Sequence, residues 1–425
     1  MTARERGALI FYQMLWLGAL PLAFIYLLWR SRRQPDYRRH LGERLGRYRV
    51  PSPEQAPIWL HLVSVGETRG AQALIRALAE ARPGVPLLIT HMTPTGRETS
   101  QALYPQATRV YLPYDHPWLV RRFLRHFRPR LAVIMETELW PTLIHEAAAA
   151  GVPTAIVNAR LSERSLASGL RFRALIAPAL RRLDRLLAQD AADAARLARL
   201  GRAADAVTGN LKFDIEPDQA LQALGRGWRD RLGAAPVLML ASSRDGEEAA
   251  LLAAWQEQAA GQGGSVRLCI VPRHPQRFDE VARAMAAVQT LRRRSGDWQG
   301  DEASMMLGDS MGEMAAYYAM ADLVIMGGSL LPFGGQNLIE ACAAGVPVIV
   351  GPHTRNFAQV SEMAIEAGAA LRAADAGDAL AHAFRLLADG TQLAAMRARA
   401  REFAGAHRGA SERTLAALMT LLPAD

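Results

Sequence analysis

Lysine is almost absent from this chain of 425 residues. Of its 50 basic residues, all but Lys212 are arginine. Coding bias accounts for arginine wherever arginine will serve. A surviving lysine therefore marks a position that needs a compact ammonium instead of a planar fork. Cysteine is nearly as scarce. Cys269 and Cys342 both lie in apolar runs, which excludes a disulfide scaffold and a cysteine-based zinc cluster and reads as two buried, reduced thiols. The sequence holds no GxxxxGK[ST], which excludes P-loop hydrolysis of ATP or GTP. It holds no GxGxxG followed by an acid about 20 residues on, which excludes a nicotinamide cofactor. No internal repeat stands out, and one long apolar run occurs without a second.

What is present is a globular composition, 50% hydrophobic and 21% charged. The length exceeds one ordinary core and implies two domains. A net charge of +9 favours an anionic partner: nucleic acid, a membrane or an acidic substrate. The basic residues are spread along the helical stretches with no nucleic-acid-binding motif, which argues against nucleic acid.

Residues 7–29 carry no charge and are long enough, at about 1.5 Å per residue, for the roughly 30 Å of a hydrocarbon layer. Arg30, Arg32, Arg33, Arg38 and Arg39 follow, against Arg4 and Arg6 before. This bias puts the body of the chain in the cytoplasm. Residues 1–33 are thus expected to be a membrane anchor with a basic flank. Gln13 and Pro21 keep open whether it spans the bilayer or lies in the interface.

The rest reads as α/β. Short apolar runs at 58–63, 87–90, 110–112, 131–135, 154–157 and 186–188 alternate with helical spacing at 71–81 and 118–126. A second series at 237–240, 266–271, 323–326 and 346–350 has helical stretches at 247–259 and 276–287. This order argues for parallel sheets covered on both faces, with ligands at the carboxyl ends of the strands, in the cleft between two doubly wound domains. The expected boundaries are 34–215 for the first and 216–425 for the second, with the last helix able to pack back on the first.

Chemistry-bearing residues fall after strands. In HLVSVGET, Glu67 stands at a strand-to-helix corner, where a carboxylate can take a proton from a hydroxyl. The helix N-terminus favours the ionised form, so a useful base needs burial to compensate. In METELWP, Glu136 and Glu138 end an apolar strand. Lys212 lies in GNLKFD near the domain junction, where it can meet a phosphate or carboxylate. In VPRHPQR, Arg273 and His274 sit where an anion would bind, and His274 has no partner at metal-ligand spacing. GDSMGEM sets Gly312, Glu313 and Met314 at a helix start, suited to a nucleoside contact. In MGGSLLPFGGQNLIEA, paired glycines precede a helix from about Asn337, and Glu340 can grip ribose hydroxyls.

Together these segments resemble the Kdo (3-deoxy-D-manno-octulosonic acid) transferase family of lipopolysaccharide assembly. The matching pieces run in order through SVGET, MTPTG, YLPYD, METELWP, NARLSERS, GNLKFD, VPRHPQRF, GGSLLPFGGQN and GPHTRNF, and cover nearly the whole chain. The resemblance implies a GT-B glycosyltransferase of two Rossmann-like domains at the cytoplasmic face of the inner membrane. It implies an inverting transfer of Kdo from CMP-Kdo to the glucosamine disaccharide of a lipid A precursor, with no cofactor and no metal. Carried over by position, Glu67 would be the general base, and Glu136 and Lys212 would stabilise the transition state. Arg273, His274, Gly312, Glu313, Met314, Asn337, Leu338, Ile339 and Glu340 would bind CMP. One departure stands at residues 241–248, ASSRDGEE, where the family pattern leads to Ser-Thr-His before Gly-Glu-Glu. Here Ser243 and Arg244 take the last two places, so donor contacts there differ. Two rival readings are a sugar-nucleotide enzyme of another kind on the same scaffold and a non-catalytic nucleotide sensor. Intact Glu67, Glu136 and Lys212 speak against the second.

Overall fold

A computed structural model describes residues 1–32, 34–214, 218–258, 266–294 and 305–422. The chain divides into two units, Met1–Asp214 with His407–Asp425, and Ile215–Ala406. The expected junction between 215 and 216 and the last expected residue of the helix at 247–259 lie outside the described residues.

The first unit is built on β1 (Ile58–His61), β2 (Leu87–His91), β3 (Thr108–Tyr111), β4 (Leu131–Met135), β5 (Thr154–Ala159), β6 (Arg185–Ala188) and β7 (Ala206–Val207). They form a parallel sheet in the order β3-β2-β1-β4-β5-β6-β7. Alternate residues feed two separate cores. Trp59, Ala132, Ile134 and Ile156 enter one, with Phe123 and Phe127 of the helix Pro117–Phe127. Ile58, Leu60, Leu131, Val133 and Met135 enter the other. Burial on both faces explains why the strands read as continuous apolar runs.

The second unit repeats the plan with β8 (Val237–Ser243), β9 (Arg267–Pro272), β10 (Leu291–Arg293), β11 (Met305–Leu307), β12 (Leu323–Met326), β13 (Val348–Val350) and β14 (Ala370–Arg372), ordered β10-β11-β9-β8-β12-β13-β14. All its pairings are parallel. The strand order reverses between β1 and β4 in one sheet and between β8 and β12 in the other. The carboxyl ends of those strands are where such sheets leave room for ligands.

Four short strands, β7, β10, β11 and β14, were not foreseen. They are two or three residues long and lie at or beside sheet edges, where pairing to one neighbour suffices. The strand expected at 346–350 starts only at Val348, after Pro347. The helix expected from Asn337 starts at Ile339, because the Asn337 side chain accepts the Ile339 N–H and so caps the helix from outside.

The helix Ala3–Arg30 is capped by Thr2 and Glu5 and carries Pro21 inside. Among the described residues it is the one helix long and apolar enough to cross a membrane. Trp16, Leu20, Phe24 and Leu27 pack on Tyr37, Tyr114 and Leu119 of the first unit. The opposite face exposes Phe11, Met14, Leu17, Leu22 and Ile25.

The last helix, Ala410–Met419, packs on Gln72–Ala81 within the first unit. Asp214 ties it down by accepting N–H bonds from Gly409 (2.7 Å), Ala410 (3.3 Å) and Ser411. The rings of Phe213 and His407 stack at 4.6 Å between centroids. Asp214→Ala is expected to cost about 1–2 kcal/mol, as loss of a helix cap does. The check is chemical denaturation together with limited proteolysis, which should cut first near His407; an unchanged midpoint and cleavage pattern would count against the tether.

Candidate active site

Glu67 lies in the first turn of the short helix Val65–Gly70, capped by Ser64. Only 6% of it is exposed. Its carboxylate accepts the Val63 N–H at 2.9 Å and the Ser64 hydroxyl at 2.8 Å. Burial pushes its pKa up to about 7. The two hydrogen bonds oppose that shift, and the charges of Glu136 and Glu138 reinforce it. Burial thus outweighs the helix N-terminus, the compensation that a base at this corner requires.

Glu136 follows β4 directly and adopts φ +59°, the left-handed region. Its N–H donates to Val157 O at 2.9 Å. A non-glycine residue held there is a local strain that the surrounding structure imposes. The strain turns the carboxylate toward Lys212, whose Nζ donates to Glu136 Oε1 at 3.0 Å. Glu138 keeps a pKa above the carboxylate range because it is buried; the Trp140 indole N–H opposes the shift and the Glu136 charge adds to it.

Lys212 sits in the single turn Leu211–Phe213, where Asn210 Oδ1 accepts its N–H. The preceding turn is fixed from β5: Asn158, at φ +55°, accepts the Leu211 N–H. A Cβ on Gly70 would stand 3.0 Å from Lys212 Cγ, so the glycine gives the lysine stem its passage. The sequence analysis missed Gly70, Asn158 and Asn210. The only available signal was that each lies in or beside a motif already quoted. Glu67, Glu136 and Lys212 themselves come together as expected from their places at the ends of β1, β4 and the run to the junction.

In the second unit, His274 stands among Arg244, Arg273 and Arg277. Its pKa lies below the usual imidazole value, first through burial and then through these three cations. The Arg273 N–H donates to Ser243 O at 3.0 Å. Arg244 lies over the Phe333 ring, 4.9 Å from its centroid. Arg277 is engaged by Glu248 at 2.8 Å, and Ser243 Oγ donates to the same carboxylate at 2.6 Å. Glu313 is held by Ser310 and by Arg294 at 2.9 Å, beside Gly312 at φ +82°. Asn337 Nδ2 donates to Glu340 Oε1 at 3.3 Å. Leu338 and Ile339 are fully buried, which leaves no side-chain surface there. Tyr318, on the helix Met314–Met320, is buried and feels the charges of both Glu340 and Arg273.

Glu247 was read only as part of an altered motif. It is fully buried, and its carboxylate accepts four backbone N–H groups: Arg244 (2.8 Å), Gly328 (2.6 Å), Leu330 (3.0 Å) and Leu331 (3.3 Å). It fastens the glycine loop after β12 to the loop after β8. Gly327 could bear no side chain there, since a Cβ would lie 2.5 Å from Ser242 O.

Residues 39–215 match the family model for 3-deoxy-D-manno-octulosonic-acid transferase (kdotransferase), and residues 288–403 match that for glycosyl transferases group 1. A 3-deoxy-D-manno-octulosonic acid transferase of Bordetella pertussis is 45% identical over 96% of this chain and 98% of its own. One from Haemophilus influenzae is 34% identical over 89% and 90%. The crystal structure of UDP-GlcNAc 2-epimerase from Neisseria meningitidis, 13% identical, superposes with a TM-score of 0.57 over 86% of this chain and 100% of that one. At that identity the likeness concerns the fold.

The folded chain binds the Glu67 proton more tightly than the unfolded chain, since about 7 exceeds the ordinary 4.5. Stability from this group is therefore complete below about pH 4.5 and is lost as pH rises through about 7. Relative to the wild type, Glu67→Gln should gain stability between pH 5 and pH 8, by up to ~3 kcal/mol. Thermal unfolding of both proteins across that range checks it, and a gain that shrinks with rising pH would contradict the assignment.

Proposed function

Because the chain belongs to the 3-deoxy-D-manno-octulosonic acid transferase family and is a glycosyltransferase of the GT-B fold, we propose that it moves Kdo from CMP-Kdo to the glucosamine disaccharide of a lipid A precursor, by an inverting and metal-independent reaction. The observation that carries this reading is Glu67, buried with a pKa of about 7, beside the Lys212–Glu136 pair at the carboxyl edge of β1 and β4.

Glu67 takes the proton of the acceptor hydroxyl as its oxygen attacks the anomeric carbon of Kdo. The bond to the CMP phosphate oxygen breaks in the same displacement, which inverts the carbon and needs no protein nucleophile. Positive charge grows on the sugar ring and is favoured by Glu136. Negative charge grows on the departing phosphate and is met by Lys212, a cation already in place. In the second unit, Arg273 with its neighbours Arg244 and Arg277 supplies the cationic surroundings for CMP. Gly312, Glu313 and Met314, and Asn337 to Glu340, complete the nucleotide contacts. The burial-lowered His274 remains neutral among these arginines and can both donate and accept hydrogen bonds.

The acceptor is acylated and membrane-borne. The apolar helix Ala3–Arg30 and the arginines that follow it support a place on the cytoplasmic face of the inner membrane.

The test uses the detergent-purified chain, CMP-Kdo generated in situ, a tetra-acylated lipid A precursor, and EDTA added once the donor is made. Mass spectrometry should show the acceptor gaining one or more Kdo units, and Glu67→Ala should abolish the gain. Lys212→Arg should lose activity by about 10²-fold, since a fork neither fits past Gly70 nor presents a point charge. The wild-type rate should rise as pH passes through about 7 and level off above it, as Glu67 ionises. A folded protein that leaves the acceptor mass unchanged would refute the donor–acceptor assignment.

A further inference from the structure

We propose that an apolar cavity in the first unit, on the reverse side of the Glu136–Glu138 loop, holds one acyl chain of the lipid acceptor and so sets the height of the sugar above Glu67. This rests on the acceptor reading above. The cavity has a volume of about 490 Å³, within the range of about 300–1,000 Å³ typical of ligand sites. Leu139, Leu161, Phe172, Ile176 and Leu200 line it, with Tyr12 of the helix Ala3–Arg30.

Its place is what gives it meaning. Thr137 and Leu139 face the cavity, while the residues between and before them, Glu138 and Glu136, turn their charges on Glu67. One loop therefore separates the candidate base from an apolar chamber. Tyr12 joins that chamber to the helix whose free face is apolar throughout. Tyr12 OH donates to Asp115 at 2.9 Å, and Asp115 accepts the N–H groups of Thr142 (3.0 Å) and Leu143 (2.7 Å) at the start of the helix that follows the loop. The anchor, the chamber wall and the loop are thus fastened together.

The rim decides the occupant. Phe172 is 62% exposed and Leu170 38% exposed, next to the helix Arg173–Leu180 that packs on the anchor. Arg160 lines the mouth, and Arg164, Arg171 and Arg173 are exposed nearby. None of these four arginines makes an ion pair among the described residues. Glu163, the acid between them, is already paired with Arg196 and Arg199. An apolar chamber continuous with a membrane-facing helix and ringed by unpaired guanidinium groups fits an anionic amphiphile, a phosphorylated glycolipid with fatty chains. A chain that leaves the bilayer for this chamber exchanges one apolar surrounding for another, so affinity comes from the arginines. What the chamber adds is position, the term on which proximity catalysis depends.

Two measurements test this. The first replaces Ser168, at the cavity wall, with p-benzoylphenylalanine in the full chain, in mixed micelles of detergent and phosphatidylethanolamine. Irradiation with the tetra-acylated lipid A precursor should add the mass of that lipid to the protein. The deacylated disaccharide bisphosphate, which has no chain to enter the chamber, should not label it. The second is Ile176→Trp, which puts an indole into the chamber and narrows it. It should lower kcat with the lipid precursor about tenfold while KM for CMP-Kdo stays within about twofold and Tm is kept. Labelling by phosphatidylethanolamine in place of the precursor overturns the proposal, as does a folded Ile176→Trp with wild-type kinetics. The crosslink needs no turnover, so it decides the matter even if Ile176→Trp misfolds. A chain that takes the label without transferring Kdo keeps the chamber and loses the reaction. One that transfers Kdo and takes no label loses the chamber alone.

Discussion

Three carboxylates, Glu67, Glu136 and Glu138, crowd the carboxyl end of β1 and β4, and one ammonium stands among them, 3.0 Å from Glu136. Opposite charges at such range attract by roughly 5 kcal/mol at an effective dielectric near 20, before the cost of desolvation. Most of the local structure serves to keep that geometry. Glu136 is held at a positive φ to turn toward Lys212, Asn158 fixes the turn that carries Lys212, and Gly70 leaves room for its stem. With Glu136 matched by the lysine, Glu67 is left to feel burial and residual repulsion, which place it near neutrality. A guanidinium would carry that charge on a planar fork instead of a compact point, which fits the chain's only lysine standing here.

The second sheet answers the same topological problem with a different use of an acid. Glu247 also follows the strand at the point where strand order reverses, and it too is buried. It spends both oxygens on four backbone N–H groups and thereby locks two loops together. Glu67 accepts one N–H and one hydroxyl and keeps lone pairs available for a proton. The number of fixed donors separates the carboxylate that fastens loops from the one that can serve as a base. Both sit at corresponding corners of similar sheets.

The parallel sheets were legible because strands buried on both faces leave unbroken apolar runs, and the runs at 131–135 and 323–326 end where the strands end. The edge strands were not, since pairs such as Ala206–Val207 carry no pattern that two residues could show. Glu67 and Glu136 were legible as acids after apolar strands, and Lys212 as the chain's only lysine. The residues that aim them were not. Asn158 reads as one more polar residue after a strand, and nothing in a glutamate announces φ +59°. Glu247 was hidden for a related reason. An acid in the first turn of a helix reads as a solvent-facing cap, and only the folded loops reveal that four N–H groups converge on it.

The anchor's geometry bears on how such a site meets a lipid. Glu5 pairs with Arg181 at 2.5 Å near one end of the helix, and Leu27 is buried against Tyr37 near the other. Those contacts are separated by 22 residues, about 33 Å at 1.5 Å per residue. A helix held to a polar-surfaced domain at both ends of such a span cannot stand across the hydrocarbon layer while the domain stays in water. With the membrane role proposed above, its axis would follow the membrane surface, with the exposed Phe11, Met14, Leu17, Leu22 and Ile25 toward one leaflet. Pro21 fits this arrangement, because a bend in a helix lying on the surface strands no backbone carbonyl in the bilayer centre. For the lipid acceptor proposed above, that arrangement would lower the cost of reaching the base, since the lipid would need only to slide within its leaflet toward the arginines beside Phe172.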